Sequence, residues 1–213
     1  MKNSPEYWDE KYKKQEEDVE LWTWNRTSTW EKVLEVIVDS FEDLHLMTIV
    51  DLGCGIGSFC QYLVSELPDD GHTIYGIDTS PWAIQYAKEL ALENDIGWSN
   101  EAYFMVGNAE SPPFPTGVDV FTINECLEHL EHPLETLQTL HLLLANHGIV
   151  VITTPHDGRI GDSSEHYSTF GHNNLFHLLL KAGFSSVTYY PNVRWFEEDP
   201  NLTSILAVAR KNE

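Results

Sequence analysis

Short apolar runs and helix-spaced apolar stripes alternate along this chain. Ile49-Val50-Asp51-Leu52 runs into Gly53-Cys54-Gly55-Ile56-Gly57, and an apolar-patterned stretch follows from about Ser58 to Leu67. That order predicts a buried strand, a tight turn and a helix. Glycine suits such a turn because it tolerates positive φ and lets backbone approach a ligand closely. A second run, Thr73 to Ile77, ends in Asp78, twenty-one residues beyond Gly57. An acidic residue at the tip of a second strand can accept hydrogen bonds from both hydroxyls of a ribose.

The same alternation continues downstream. Thr79-Ser80-Pro81 predicts a capped helix start, with apolar positions to about Leu92. Strands are expected at Ala102–Val106, Val118–Ile123 and Ile149–Thr153. Between the last two, Pro133 opens a helix to about Ala145, stopped by Asn146-His147-Gly148. A polar loop from Pro155 to about Thr169 precedes a helix from His172 to Ala182 that ends at Gly183. Two β-rich runs, Ser186–Tyr190 and Ser204–Val208, come last with no helical pattern between them. Upstream, Tyr7, Trp8 and Tyr12 suit one face of a short helix over residues 4–14 that lies on the domain. Ser28 or Thr29 is expected to cap a further helix that buries Val33, Leu34, Ile37 and Val38. Strands alternating with helices, then a strand pair, predict an α/β fold: a doubly wound sheet closed by a C-terminal antiparallel hairpin.

Length adds that 213 residues make one domain with a sizeable core. Charge adds more: 34 acidic residues against 12 basic ones give a net charge of −22. Such a surface repels phosphate backbones and anionic lipid, so nucleic acid is a disfavoured partner. Cys54, Cys60 and Cys126 are an odd set, and one lies inside the glycine turn. Free thiols in a reducing cytoplasm are the expectation. The N-terminus shows no signal peptide pattern, and no apolar run approaches membrane-spanning length.

The Gly-x-Gly-x-Gly turn, an acid two residues before it and the acid at Asp78 closely resemble motif I and the following acidic motif of class I S-adenosylmethionine-dependent methyltransferases. The resemblance covers residues 30–210 and implies their Rossmann-like, seven-stranded sheet. It implies a single methyltransferase domain, with residues 1–45 a helical lid segment and 46–213 the core. It also implies a site. Asp51, Gly53, Gly55 and Gly57 would meet the amino acid end of the methyl donor, and Asp78 its ribose. Asn108 and Ala109 would meet the adenine. Asn108 stands where these families usually carry an acid, and its side-chain carbonyl can make the same contact. Asn124 would offer its backbone carbonyl to the donor's ammonium. Arg26 would pair with the donor carboxylate, which a two-pronged guanidinium suits. Trp22, Trp24 and Trp30 would belong to the lid, either as packing or at the substrate, with Trp195 and Phe196 another candidate wall.

Candidate chemistry beside the donor centres on Glu125, Glu128, His129 and His166. Glu125-x-x-Glu128-His129 with the later His166 is similar to the motif of ubiquinone-biosynthesis O-methyltransferases and of enzymes that methylate the 3′ end of small RNAs. If the chain turns helically after strand four, positions i, i+3 and i+4 share a face, and a divalent cation becomes an expected partner. Without metal, His129 and His166 are the candidate general bases. Three functions stay open: a metal-free methyltransferase acting on an O or N atom of a small-molecule acceptor, a metal-assisted O-methyltransferase, and a donor-binding protein without catalysis.

Overall fold

In the computed structural model the described residues are 3–15, 27–44, 46–68, 70–93, 100–156, 165–191 and 204–212. The expectations for Arg26, Trp22, Trp24, Trp195 and Phe196 fall outside them. In chain order the elements are α1 (Pro5–Gln15), α2 (Thr27–Asp39), β1 (Thr48–Leu52), α3 (Ser58–Glu66), β2 (Thr73–Asp78), α4 (Pro81–Glu93), β3 (Glu101–Val106) and β4 (Val118–Asn124). After a short 3₁₀ turn at Leu127–His129 come α5 (Pro133–Leu143), β5 (Leu144–Pro155), α6 (His172–Ala182), β6 (Ser186–Tyr190) and β7 (Ser204–Arg210).

The seven strands form one sheet in the order β3-β2-β1-β4-β5-β7-β6. β1 to β5 pair in parallel, and β7 runs antiparallel between β5 and β6. Strands β1 to β3 are laid down in one direction across the sheet, and the chain then returns to place β4 on β1's other side. Ligands in open α/β sheets bind at the carboxyl ends of the strands flanking such a switch point.

Side-chain alternation along each strand fills two cores. Ile49, Ile74 and Val151 face one, with Val33, Val36 and Ile37 of α2, Phe59 and Leu63 of α3, and Ala87 of α4. Val50, Leu52, Phe121 and Ile152 face the other, with Leu137 and Leu140 of α5 and Leu175 and Leu179 of α6. This is the two-sided burial that makes parallel strands read as nearly continuous apolar runs.

Two boundaries differ from the sequence reading, and one open alternative is decided. α2 begins at Thr27, so Ser28 and Thr29 lie inside it and Thr29 is buried rather than capping. Of the two readings for Trp30, packing or a place at the substrate, the structure shows packing: it is a core residue, 5.8 Å from both Phe59 and Tyr62 by ring centroids. α5 stops at Leu143, and β5 starts at Leu144 instead of Ile149. The Leu143 carbonyl accepts the Gly117 N–H at 2.8 Å, and Leu144 pairs with Val118 at the start of β4. A leucine-rich run that suits a helix therefore switches to strand because its backbone is captured by the neighbouring chain. By contrast, the Ser80 cap is formed: its hydroxyl accepts the Ala83 N–H at 3.0 Å.

Candidate active site

The glycine turn is hooked onto the end of β2. Gly53 and Cys54 both donate their N–H to the Ile77 carbonyl, at 2.8 and 3.0 Å. Gly53 has φ +73°, and a Cβ there would lie 2.5 Å from Cys126 Sγ. Gly57 has φ +79°, and a Cβ would lie 2.6 Å from Phe104 and 2.8 Å from Ala87. Each position demands glycine twice, by conformation and by space.

Asp78 lies at the tip of β2, buried. Its Oδ2 accepts the Gly55 N–H at 2.9 Å, and its Oδ1 accepts the Ser80 N–H at 2.9 Å. Burial raises its carboxyl above the ordinary value, and these backbone donors oppose the shift. Asp51, on β1, is also buried. Thr122 donates its hydroxyl to Asp51 Oδ1 at 2.6 Å, and Asn124 Nδ2 donates to the same atom at 3.2 Å. Cys60 Sγ donates to Oδ2 at 3.8 Å. Burial pushes Asp51 up to about 7, against the pull of the Thr122 and Asn124 hydrogen bonds. Its hydrogen-bond donors Thr122, Asn124 and Cys60 are all neutral groups, an environment that keeps a buried acid partly protonated near neutral pH.

Asn108 and Ala109 follow β3, on the adenine side of the expected site. Asn108 is exposed, and its Oδ1 accepts the Glu110 N–H at 2.9 Å. That Asx turn takes one of the carbonyl's two lone pairs. Ala109 is half-buried against the second core. Asn124 closes β4, its Oδ1 accepting the Thr153 hydroxyl at 3.4 Å.

Beyond β4 the chain does not turn helically at once. Glu125 adopts φ +51°, and helical hydrogen bonding starts only with the 3₁₀ turn, where the His129 N–H donates to the Cys126 carbonyl at 3.0 Å. The i, i+3, i+4 face therefore does not form. Glu128, His129 and His166 come together, with ligand atoms within 4.8 Å of one another, and Glu125 stands outside that group. Glu128 is buried and accepts the Thr154 hydroxyl at 3.0 Å. The His129 and His166 rings meet at 4.9 Å between centroids. His129 Nδ1 lies 3.3 Å from the Glu165 carbonyl, a pure acceptor, so Nδ1 carries the proton and Nε2 the lone pair. Burial pushes His129 down to about 4, so the ring is neutral at pH 7.

α1 lies across this mouth. Asp9 Oδ1 accepts the Ser80 hydroxyl at 2.5 Å and the Trp82 N–H at 3.1 Å. Tyr12 donates its hydroxyl to Asp78 Oδ2 at 3.4 Å. On the other side Trp8 sets its ring edge-on to His129, centroids 5.0 Å apart. The sequence places α1 on the domain with Tyr12 on its packing face, but it gives Tyr12 and Glu165 no contact at the site and leaves Thr122 unassigned. A hydroxyl inside the apolar run Val120–Ile123 was the available signal for Thr122, and its place opposite Asp51 comes from the strand register. Nothing local marks the contacts of Tyr12 and Glu165, because their partners are 66 and more than 150 residues away in sequence.

A family model described as a methyltransferase domain matches residues 44–196, and the chain belongs to that family. Its mixed seven-stranded sheet flanked by helices is the Rossmann-like α/β fold of class I methyltransferases. Over 108 residues, half of this chain and 28% of the relative, it is 33% identical to a probable chloroplastic tocopherol O-methyltransferase of Oryza sativa subsp. japonica. Over 106 residues, half of this chain and 37% of the relative, it is 32% identical to the mitochondrial ubiquinone biosynthesis O-methyltransferase of Schizosaccharomyces pombe. The chain thus spans well under half the length of these relatives. In fold it is similar to phosphoethanolamine N-methyltransferase 2 of Haemonchus contortus, solved in complex with S-adenosyl-L-methionine. That match has a TM-score of 0.67 at 18% identity and covers 86% of this chain and 53% of the other. Among the described residues no helix is long and apolar enough to cross a membrane.

Proposed function

We propose that the protein transfers the methyl group of S-adenosylmethionine to an oxygen atom of a small-molecule acceptor. The observation that carries this reading is the junction of Asp78 with Gly55 at the carboxyl edge of the sheet, beside a pair of histidines on the same edge. Asp78 would accept from the ribose hydroxyls. The backbone of Gly53, Gly55 and Gly57 would meet the amino acid end of the donor, whose ammonium Asp51 and the Asn124 carbonyl would meet. Asn108 and Ala109 would border the adenine, and Arg26 remains the candidate for the donor carboxylate.

In the transfer an acceptor oxygen attacks the methyl carbon in line, and the sulfur takes the electrons of the breaking S–C bond, leaving S-adenosylhomocysteine. The acceptor proton goes to an imidazole. His129, neutral but strongly desolvated, is a weak proton acceptor where it stands. His166, next to it, is the better placed base. Placement supplies the rest, because the sulfonium is already a good leaving group. Both relatives named above are O-methyltransferases, which supports oxygen over nitrogen.

Metal assistance is the second reading, favoured by the convergence of Glu128, His129 and His166. One carboxylate and two imidazoles fit zinc or manganese better than magnesium. These three residues would hold the ion, which would lower the pKa of an acceptor hydroxyl. A labelled-methyl assay over a panel of phenols, amines and acids tests the function, and repeating it in chelator divides the readings. Full turnover in chelator leaves the histidines as bases. Lost turnover restored by one divalent ion establishes the metal. A protein that binds donor and methylates nothing in the panel belongs to the donor-binding reading instead.

We place the chain as a single domain in the cytoplasm, supported by three free cysteines, two of them buried. The net charge of −22 supports a small acceptor over nucleic acid.

A further inference from the structure

We propose that α1 couples the donor site to the histidine pair, with Tyr12 as a donor-binding residue and Glu165 as the residue that positions His129. The proposal rests on the donor reading above.

The two ends of the coupling are made by one helix. Tyr12 reaches the site expected for the ribose. Its hydroxyl shares Asp78 Oδ2 with the Gly55 N–H, and it lies 3.0 Å from where a Gly55 Cβ would stand. A ribose hydroxyl entering there meets Tyr12 and Asp78 together. From the neighbouring position and from five residues back, the helix grips Glu165. Lys11 Nζ pairs with Glu165 Oε2 at 2.5 Å, and Tyr7 donates its hydroxyl to Oε1. Asn3 Nδ2 donates to the Glu165 carbonyl at 2.9 Å and to the His129 carbonyl at 3.1 Å. The Glu165 carbonyl is also the acceptor that fixes the His129 tautomer. Trp8, with Lys11 4.7 Å above its ring, closes on the His129 edge.

The seat of α1 is conditional. No described side chain of α1 is fully buried. An isolated helix of 11 residues is marginal in water, so these polar contacts and the ring packing hold it in place. A donor that touches Tyr12 only in the seated form shifts the helix toward that form, and by linkage every contact that seats the helix tightens the donor. Donor occupancy would then set Glu165, and through it the orientation of His129, before the acceptor is engaged.

The test uses S-adenosylhomocysteine with the wild type and with Tyr12→Phe, Tyr7→Phe and Lys11→Met. Three readouts are taken: affinity by calorimetry, amide hydrogen exchange over residues 5–15, and the ring ¹⁵N signals of His129. In the wild type, ligand should slow exchange of α1 by about tenfold or more and resolve one His129 tautomer with the proton on Nδ1. Tyr7→Phe and Lys11→Met act at Glu165, away from the donor. Each should weaken the ligand roughly three- to tenfold and lose both the slowing and the single tautomer. Tyr12→Phe should weaken it comparably. Wild-type binding with α1 exchange unchanged, or Tyr7→Phe and Lys11→Met binding as tightly as wild type, overturns the coupling while leaving the donor reading intact. No binding by the wild type overturns the donor reading, and the coupling with it.

Discussion

Thr122 donates its hydroxyl to Asp51 at 2.6 Å across adjacent strands, at a point where the register sets the two residues side by side. Asp51 is thereby held by neutral donors in a fully buried position, with its carboxyl raised to about 7. The donor's ammonium would be its cationic partner, and it binds only the ionised form. Below pH 7 the free protein must lose a proton from Asp51 to bind, so affinity should rise with pH. For one group with this pKa, the rise from pH 6 to pH 8 is about tenfold. Calorimetry with S-adenosylhomocysteine across that range checks it, and Asp51→Asn should flatten the profile.

Gly57→Ala should destabilise the fold. The added Cβ would sit 2.6 Å from the Phe104 ring at φ +79°. Conformational strain and overpacking together make a loss of about 2–4 kcal/mol the expected outcome. Chemical denaturation reads it directly. Gly117→Ala, also at positive φ but with nothing within 4 Å of its Cβ, should cost less.

His129 should make the protein acid-sensitive. The unfolded chain takes up a proton on this imidazole near 6.5, whereas the folded ring does so near 4. Its folded pKa is depressed, so its stabilisation is fully present above pH 6.5 and is lost as pH falls toward 4. The upper bound of that loss is about 3 kcal/mol. Unfolding free energies of wild type and His129→Gln, measured from pH 7 to pH 4, should converge as the pH drops.

The net charge of −22 should make stability depend on salt. Self-repulsion among surface carboxylates opposes the compact state and is screened over about 10 Å at 0.1 M ionic strength. Raising sodium chloride from about 0.05 to 1 M should lift the Tm by roughly 2–8 °C, corresponding to about 1–2 kcal/mol at this chain length. A Tm that falls over this range would show that repulsion is not the dominant surface term.

The sheet and the glycine turn with Asp78 at the next strand's tip were legible in the sequence because both are local. The parallel strands are continuous apolar runs, and the turn at Gly53–Gly57 announces itself by composition. The helix at His172–Ala182 was bounded correctly because Gly183, at φ +108°, stops it. What escaped depends on contacts made at a distance or on a backbone angle that residue spacing does not reveal. Leu144 leaves α5 because Gly117 captures the preceding carbonyl. Glu125 leaves the metal-type cluster because its own φ of +51° delays the helical turn, which spacing alone could not show. Glu165 gained its place only when α1 folded back over the mouth.

The central claim, that the Asp78 carboxylate at the glycine turn holds the methyl donor, is tested most directly by calorimetry with S-adenosylmethionine and S-adenosylhomocysteine. Wild type should bind both at micromolar concentration or tighter, and Asp78→Ala should lose roughly 1.5–3 kcal/mol, the scale of hydrogen bonds to a charged group. Equal binding by wild type and Asp78→Ala, with the variant's fold verified by its thermal unfolding, would contradict it.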